Sequence, residues 1–154
     1  MSSVVLGIDP GLKGGYALIG PGDVLAEPFP LAGKSLDLAE LAREWRSFEL
    51  DLAVIERVHA MPKQGVTSMF TFGKTCGQIE GILAALGVPV EFVTPQAWKA
   101  AILAGTLKDK DAAVAYCRRV FPSVQLVRKG CRKASDGMAD ALCLAQFGKR
   151  ELAT

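Results

Sequence analysis

The chain has 154 residues, half of them apolar and 22% charged, a size and make-up that suit one globular domain over residues 1–154 with an ordinary buried core. Uncharged apolar runs such as residues 81–90 stop well short of the ~20 residues a membrane-spanning helix needs, so no membrane association is expected. The net charge of +2 conceals a reversal along the chain: residues 1–56 carry four basic side chains against nine acidic ones, whereas residues 99–133 carry nine against two. The second segment is basic enough for a phosphate-binding surface, although a solvated helix face followed by a polar loop would give the same counts.

Residues 4–8, Val-Val-Leu-Gly-Ile, read as a core strand ending in Asp9 rather than as an export signal, so a soluble cytoplasmic protein is expected. Pro10-Gly11 turns the chain, residues 16–19 form a second strand, and Gly20-Pro21-Gly22-Asp23 turns into a third over residues 24–29, completing an antiparallel meander. Ser35 is placed to cap a helix on which Leu38, Leu41, Trp45 and Phe48 recur at helical spacing. Residues 52–55 are a fully apolar strand ending in Glu56. A loop over residues 61–67 leads to a long helix over residues 68–86 closed by Gly87, followed by a short strand at 89–93. Helices over 96–104, 109–120 and 136–147 complete the chain, with a basic loop at 128–135 before the last. The first and fourth strands are apolar on both faces, which places them centrally in a mixed sheet covered by helices.

Cys76, Cys117, Cys131 and Cys143 form no C-x-x-C pair, which argues against a zinc site or a redox motif. They read as free thiols, Cys76 and Cys143 behaving as small hydrophobes in helical patterns.

The chemistry-bearing feature is that two core strands each end in a carboxylate, Asp9 and Glu56. A carboxylate at the mouth of a core strand is costly to desolvate unless a cation, a hydrogen-bond donor or a proton stabilises it. Asp136 and Asp140 lie four apart at the start of the last helix and so share a face. If the four converge, a pair of hard divalent cations relieves their repulsion, and such a pair suits phosphodiester hydrolysis. Separate solvated acids at strand ends and a helix start are the plain alternative, strongest for Asp136, because Asp is favoured near a helix N-terminus.

Four segments, Gly7-Ile8-Asp9-Pro10-Gly11, Ile55-Glu56-Arg57-Val58-His59, Thr94-Pro95-Gln96-Ala97-Trp98-Lys99 and Asp136-Gly137-Met138-Ala139-Asp140-Ala141-Leu142, occur in the order and spacing of RuvC-type Holliday-junction resolvases. The resemblance runs nearly end to end. Met61-Pro62-Lys63-Gln64-Gly65 with Met69-Phe70-Thr71-Phe72-Gly73 resembles the phage and organelle-like branches more than the housekeeping bacterial one.

The resemblance implies a ribonuclease H-like α/β fold, in which helices flank a mixed sheet of five strands, three antiparallel and then two parallel. It implies metal-binding catalytic carboxylates at Asp9, Glu56 and Asp140 with Asp136 as the fourth, and two Mg²⁺ ions per site for which Mn²⁺ can substitute. Lys99 and Lys110 match phosphate-contacting lysines, Lys110 also serving beside the scissile phosphate. Lys63, Arg128, Lys129, Arg132 and Lys133 are expected DNA contacts. His59 falls where the family often stacks an aromatic, and Phe70 and Phe72 are the alternative stacking residues, core packing being the ordinary fate of such a pair. One departure concerns the last helix, where many family members place the final two catalytic groups three apart; that spacing selects Gly137, one residue after Asp136.

Small residues at Gly73, Cys76-Gly77 and Gly81 mark one face of the long helix, for close packing either on its own sheet or on a second copy. The resemblance implies a homodimer acting on four-way or branched DNA, leaving 5′-phosphate and 3′-hydroxyl ends, in a nucleoid or a phage-infected host cytoplasm. Three other readings stand beside it: a nuclease of broader branched-DNA or RNA–DNA hybrid specificity, a non-catalytic junction-binding module, and an actin-like phosphotransferase, which the length disfavours.

Overall fold

The computed structural model describes residues 2–58 and 63–154. Strands β1 (Val5–Asp9), β2 (Gly15–Ile19) and β3 (Val24–Glu27) form the expected meander. Pro28 and Pro30 end the third strand two residues before its expected limit, since proline cannot donate to the ladder. A small hairpin unread in the sequence follows, β4 (Leu31–Ala32) and β5 (Ser35–Leu36), turning at Gly33 with φ of 65°. Ser35 therefore lies in a strand and is not a helix cap. Asp37 caps instead, its carboxylate accepting the Glu40 N–H at 3.1 Å, and α1 (Leu38–Ser47) follows.

The remaining elements are β6 (Leu52–Glu56), α2 (Val66–Ala85), β7 (Val90–Val93), α3 (Pro95–Ile102), α4 (Ala112–Val120) and α5 (Asp136–Ala153). The last helix runs six residues beyond its expected end at 147. Gly148, a formal breaker, is accommodated because a Cβ there would stand 2.7 Å from Val5 and Val54 side chains, so only glycine lets the helix continue against the sheet.

The five-stranded sheet has the order β3-β2-β1-β6-β7, with β1 antiparallel to β2 and parallel to β6, and β6 parallel to β7. This is the three-antiparallel, two-parallel arrangement expected. Strand alternation sorts the core onto two faces. Val5, Leu52 and Val54 pack with α3, α4 and α5, whereas Leu6, Ile8, Ala53 and Ile55 pack with α1 and α2.

Helix α5 lies directly on β1. A Cβ at Gly7 would fall 2.0 Å from the Ala141 carbonyl oxygen and 2.4 Å from the Ala145 nitrogen, so the glycine of the Gly-Ile-Asp segment is what lets the helix backbone touch the strand. That contact sets the distance between the end of β1 and the first turns of α5.

Candidate active site

The period of two along β1 puts Asp9 on the same face as Val5 and Gly7, towards α5, and along β6 it puts Glu56 on the face of Leu52 and Val54. The parallel register pairing Ile8 with Ile55 carries both carboxylates to adjacent strand ends. From above, the first turns of α5 deliver Asp140. Ser135 starts that helix, its hydroxyl accepting the Met138 N–H at 3.2 Å, and Asp136 follows in the first turn, solvent-exposed.

These charges act on one another. Burial, then the nearby Glu56 and Asp140 carboxylates, push Asp9 up to about 8, against a downward pull from Arg128 and Lys99. Burial and then Glu56 push Asp140 up to about 7, opposed by Lys99. Three elements distant in sequence thus bring Asp9, Glu56 and Asp140 within electrostatic reach at one mouth of the sheet. Glu56 is also gripped from the side: the indole Nε1 of Trp98, fully buried on α3, donates to its Oε2 at 2.7 Å.

Among the described residues no three His, Cys, Asp or Glu side chains converge closely enough to hold an ion as they stand. The donor set fits a hard divalent cation on chemical grounds. All of its members are carboxylates, the ligand class such ions take, and ionising the partly buried pair beside Glu56 calls for a compensating positive charge.

Two open clefts meet at Asp136. The first, about 830 Å³, runs between the loop after β1, the N-terminal half of α2 and the basic loop, and is lined by Asp9, Thr71, Phe72, Arg128, Lys133 and Asp136. The second, about 840 Å³, holds Asp136 and Asp140 with Lys99 and Lys110 on its wall. Lys99 also lies over the Trp98 ring, 5.5 Å from its centroid. Phe72 lines the first cleft, whereas Phe70, 73% exposed, projects from the start of α2. Lys63, Lys129 and Arg132 are exposed and border neither cleft, and His59 lies outside the described residues. Arg128 is turned inward: its guanidinium donates to the Lys13 carbonyl and, at 3.1 Å, to that of Gly14.

No family model matches the chain. The crossover junction endodeoxyribonuclease RuvC of Mycobacterium ulcerans (strain Agy99) is 30% identical over 153 residues, covering 90% of this chain and 81% of the relative. The chain belongs to the RuvC family. Among solved structures, Thermus thermophilus RuvC in complex with a Holliday junction substrate superposes with a TM-score of 0.68 at 20% identity, over 97% of this chain and 96% of that one. The yeast mitochondrial Holliday junction resolvase Ydc2 gives 0.58 at 15% identity, over 97% and 78%.

The first turn of α5 has a packing constraint at the position three before Asp140. A Cβ at Gly137 would lie 2.6 Å from the Gly14 Cα and 2.8 Å from the Lys13 carbonyl oxygen. Gly14 is equally confined, its Cβ falling 1.9 Å from the Asp9 carbonyl oxygen. The first turn of α5 rests backbone to backbone on the loop after β1, and the position three before Asp140 has no room for a side chain. Asp136, one residue earlier, is outside that contact and faces both clefts.

Two residues shape this site in ways the sequence did not disclose. Trp98 stood inside a recognised segment, and a buried indole needs a partner for its N–H, but nothing local says the partner is 42 positions away. Arg128 was read from its charge, and only the tertiary structure shows that it serves the loop after β1.

The stripe on α2 is resolved in one direction. Among the described residues nothing lies within 4 Å of a Cβ built at Gly73, Gly77 or Gly81, so these glycines face away from the sheet and do not pack closely on it.

Proposed function

We propose that this RuvC-family chain, acting as one nuclease domain over residues 1–154, is a metal-dependent endonuclease that resolves four-way DNA junctions by paired phosphodiester hydrolysis. The observation that carries the reading is the meeting of Asp9, Glu56 and Asp140 from β1, β6 and α5, with burial and mutual repulsion raising Asp9 and Asp140. Family membership supplies the substrate class. Carboxylates facing DNA weaken binding unless cations bridge them, so a binding module alone gives no reason to keep this cluster.

Asp9, Glu56 and Asp140, with Asp136 as the fourth, would hold two Mg²⁺ ions, for which Mn²⁺ can substitute. Bound there, such ions activate a water and offset charge on the attacked phosphate and the leaving oxygen. Trp98 orients Glu56 by holding one of its oxygens. Lys99 and Lys110 stand on the cleft wall beside Asp140, where ammonium groups stabilise the phosphate's developing charge. Lys133 in the first cleft, with Lys63, Lys129 and Arg132 outside it, contacts flanking phosphates and so positions the junction by its backbone and shape. Phe70 and Phe72 stack on bases opened at the branch.

A junction offers two strands related by two-fold symmetry, and an isologous dimer supplies a site for each. The open face of α2, with Val66 85% and Phe70 73% exposed at its start and glycines along its length, is the surface for the second copy. The expected compartment is the cytoplasm; among the described residues no helix is long and apolar enough to cross a membrane.

The test is cleavage of a synthetic four-way junction beside matched duplex and RNA–DNA hybrid, with Mg²⁺ and with EDTA, by wild type and Asp140→Asn. Symmetric nicks on the junction alone, dependent on metal and lost in the variant, are expected. Comparable cutting of hybrid would replace the resolvase reading with a broader nuclease, and binding without any metal-dependent cutting would remove the catalytic reading.

A further inference from the structure

Arg128 is the residue whose sequence-based role and structural setting diverge most. It lies 114 and 115 positions from the carbonyls of Gly14 and Lys13 that it binds, so its guanidinium joins the basic loop to the loop after β1. Among the described residues its Nε is buried without a hydrogen-bond partner, a costly placement that a solvated phosphate-binding arginine does not adopt. Its charge lies close enough to Asp9 to pull that carboxyl down against burial. Gly137 of α5 presses on the same two residues, a Cβ there falling 2.6 Å from the Gly14 Cα and 2.8 Å from the Lys13 carbonyl oxygen. Lys13 and Gly14 are therefore held both by an arginine fork and by the first turn of the helix that carries Asp136 and Asp140.

From this geometry we propose that Arg128 is a positioning residue: it holds the loop behind Asp9 against α5, fixing the spacing of Asp9 to Asp140 and with it the site's affinity for divalent metal, without contacting DNA. The inference rests on the nuclease reading, in which Asp9 and Asp140 hold metal. Two effects oppose each other when the arginine is removed. A neighbouring positive charge repels a metal ion, so its loss alone would tighten binding. Loss of the clamp loosens the donor set, and removal of outer partners of metal ligands typically costs 10–100-fold in affinity. The proposal requires the second effect to win. It also requires that lysine fail to substitute, because one ammonium on a flexible stem does not reproduce a planar fork spanning two carbonyls.

The experiment measures Mn²⁺ affinity of the DNA-free full chain by calorimetry for wild type, Arg128→Lys and Arg128→Gln, all well below their melting temperatures. Junction affinity is measured in parallel at several salt concentrations without activating metal. The expected result is Mn²⁺ binding weakened about 10-fold or more in both variants, with the salt dependence of junction binding unchanged. Wild-type Mn²⁺ affinity in Arg128→Lys would mean that charge alone matters. Unchanged Mn²⁺ affinity with a salt slope reduced by about 1 would make Arg128 a phosphate contact. A lowered melting temperature with unchanged Mn²⁺ affinity would make it merely structural. Each of these three overturns the proposal. If wild type itself binds no Mn²⁺, the metal-dependent reading fails first. Hydrogen exchange on wild type needs no variant to fold: Mn²⁺ should slow exchange of the amides of residues 11–15, and no change there counts against the clamp.

Discussion

Gly137→Ala tests whether α5 is seated on the loop after β1 as tightly as the structure indicates. The added Cβ would stand 2.6 Å from the Gly14 Cα, where an ordinary contact begins at 3.4 Å, so backbone must part by 0.8 Å. Neither neighbour is a flexible side-chain end. Overpacking of this kind costs about 1–3 kcal/mol. Alanine's better helix propensity returns at most ~1 kcal/mol, less in the first turn. Steric cost therefore wins, and at roughly 2–4 °C per kcal/mol for a chain of this size the melting temperature falls by several degrees. The effect on cleavage is larger, because the parting moves Asp136 and Asp140 away from Asp9, and a displacement near 1 Å at a reacting centre costs ~100-fold in rate. The control is Gly20→Ala, whose Cβ would meet only the Val4 side chain at an ordinary 3.5 Å and which should leave cleavage at the wild-type rate. A melting temperature for Gly137→Ala equal to or above wild type, or junction cleavage within twofold of it, would show the contact to be slack and the argument about carboxylate spacing wrong.

Trp98→Phe keeps most of the buried ring but removes the donor to Glu56; a hydrogen bond to a charged acceptor is worth about 1.5–3 kcal/mol, so kcat on the junction should fall roughly 10- to 100-fold with little change in junction affinity, and retention of full activity would remove Trp98 from the site. Metal-free stability should decline as pH rises from about 4 towards 8, because folded Asp9 and Asp140 hold protons up to about 8 and 7 that the unfolded chain has already released. Thermal melts in EDTA check that sign, and Mg²⁺ should raise the melting temperature more at pH 8 than at pH 6; the reverse order would contradict the raised carboxyls. Gly77→Arg places a large charge on the open face of α2; if that face joins two copies, light scattering should give the wild type twice the mass of the variant, and equal masses would refute that face as the interface.

The fold was legible where local pattern coincides with tertiary need. β1 and β6 announced themselves as unbroken apolar runs because both of their faces are covered, and their terminal carboxylates stood out for the same reason. The β4–β5 hairpin was not legible: two strands of two residues carry no period, and Ser35 mimicked a cap that Asp37 supplies. The far end of α5 was missed because Gly148 reads as a breaker until Val5 and Val54 are known to press on it. In the site, charge type was legible but employment was not. Arg128 sits among Lys129, Arg132 and Lys133, and no local pattern distinguishes the one basic side chain that turns inward from its solvent-facing neighbours.

The uneven charge of the chain follows the same division of labour. The acids of residues 1–56 look at first like a surface that would repel DNA, yet several have structural roles away from the cleft mouth. Asp51 accepts the Val4 N–H at 2.7 Å, Asp37 caps α1, and Glu44 accepts from the Tyr16 hydroxyl. Around that hydroxyl Glu27 and Glu44 crowd closely enough that burial and then their mutual repulsion raise Glu27. Asp9 and Glu56 alone among the nine reach the ends of the two central strands. There the opposing positive charges come from α3 and the basic loop, in the +7 stretch of the chain between Lys99 and Lys133. A polyanion approaching the protein is repelled at the β3–α1 edge and attracted at the basic loop, so the same asymmetry that leaves net charge near zero orients the phosphates towards the one mouth where carboxylates are gathered.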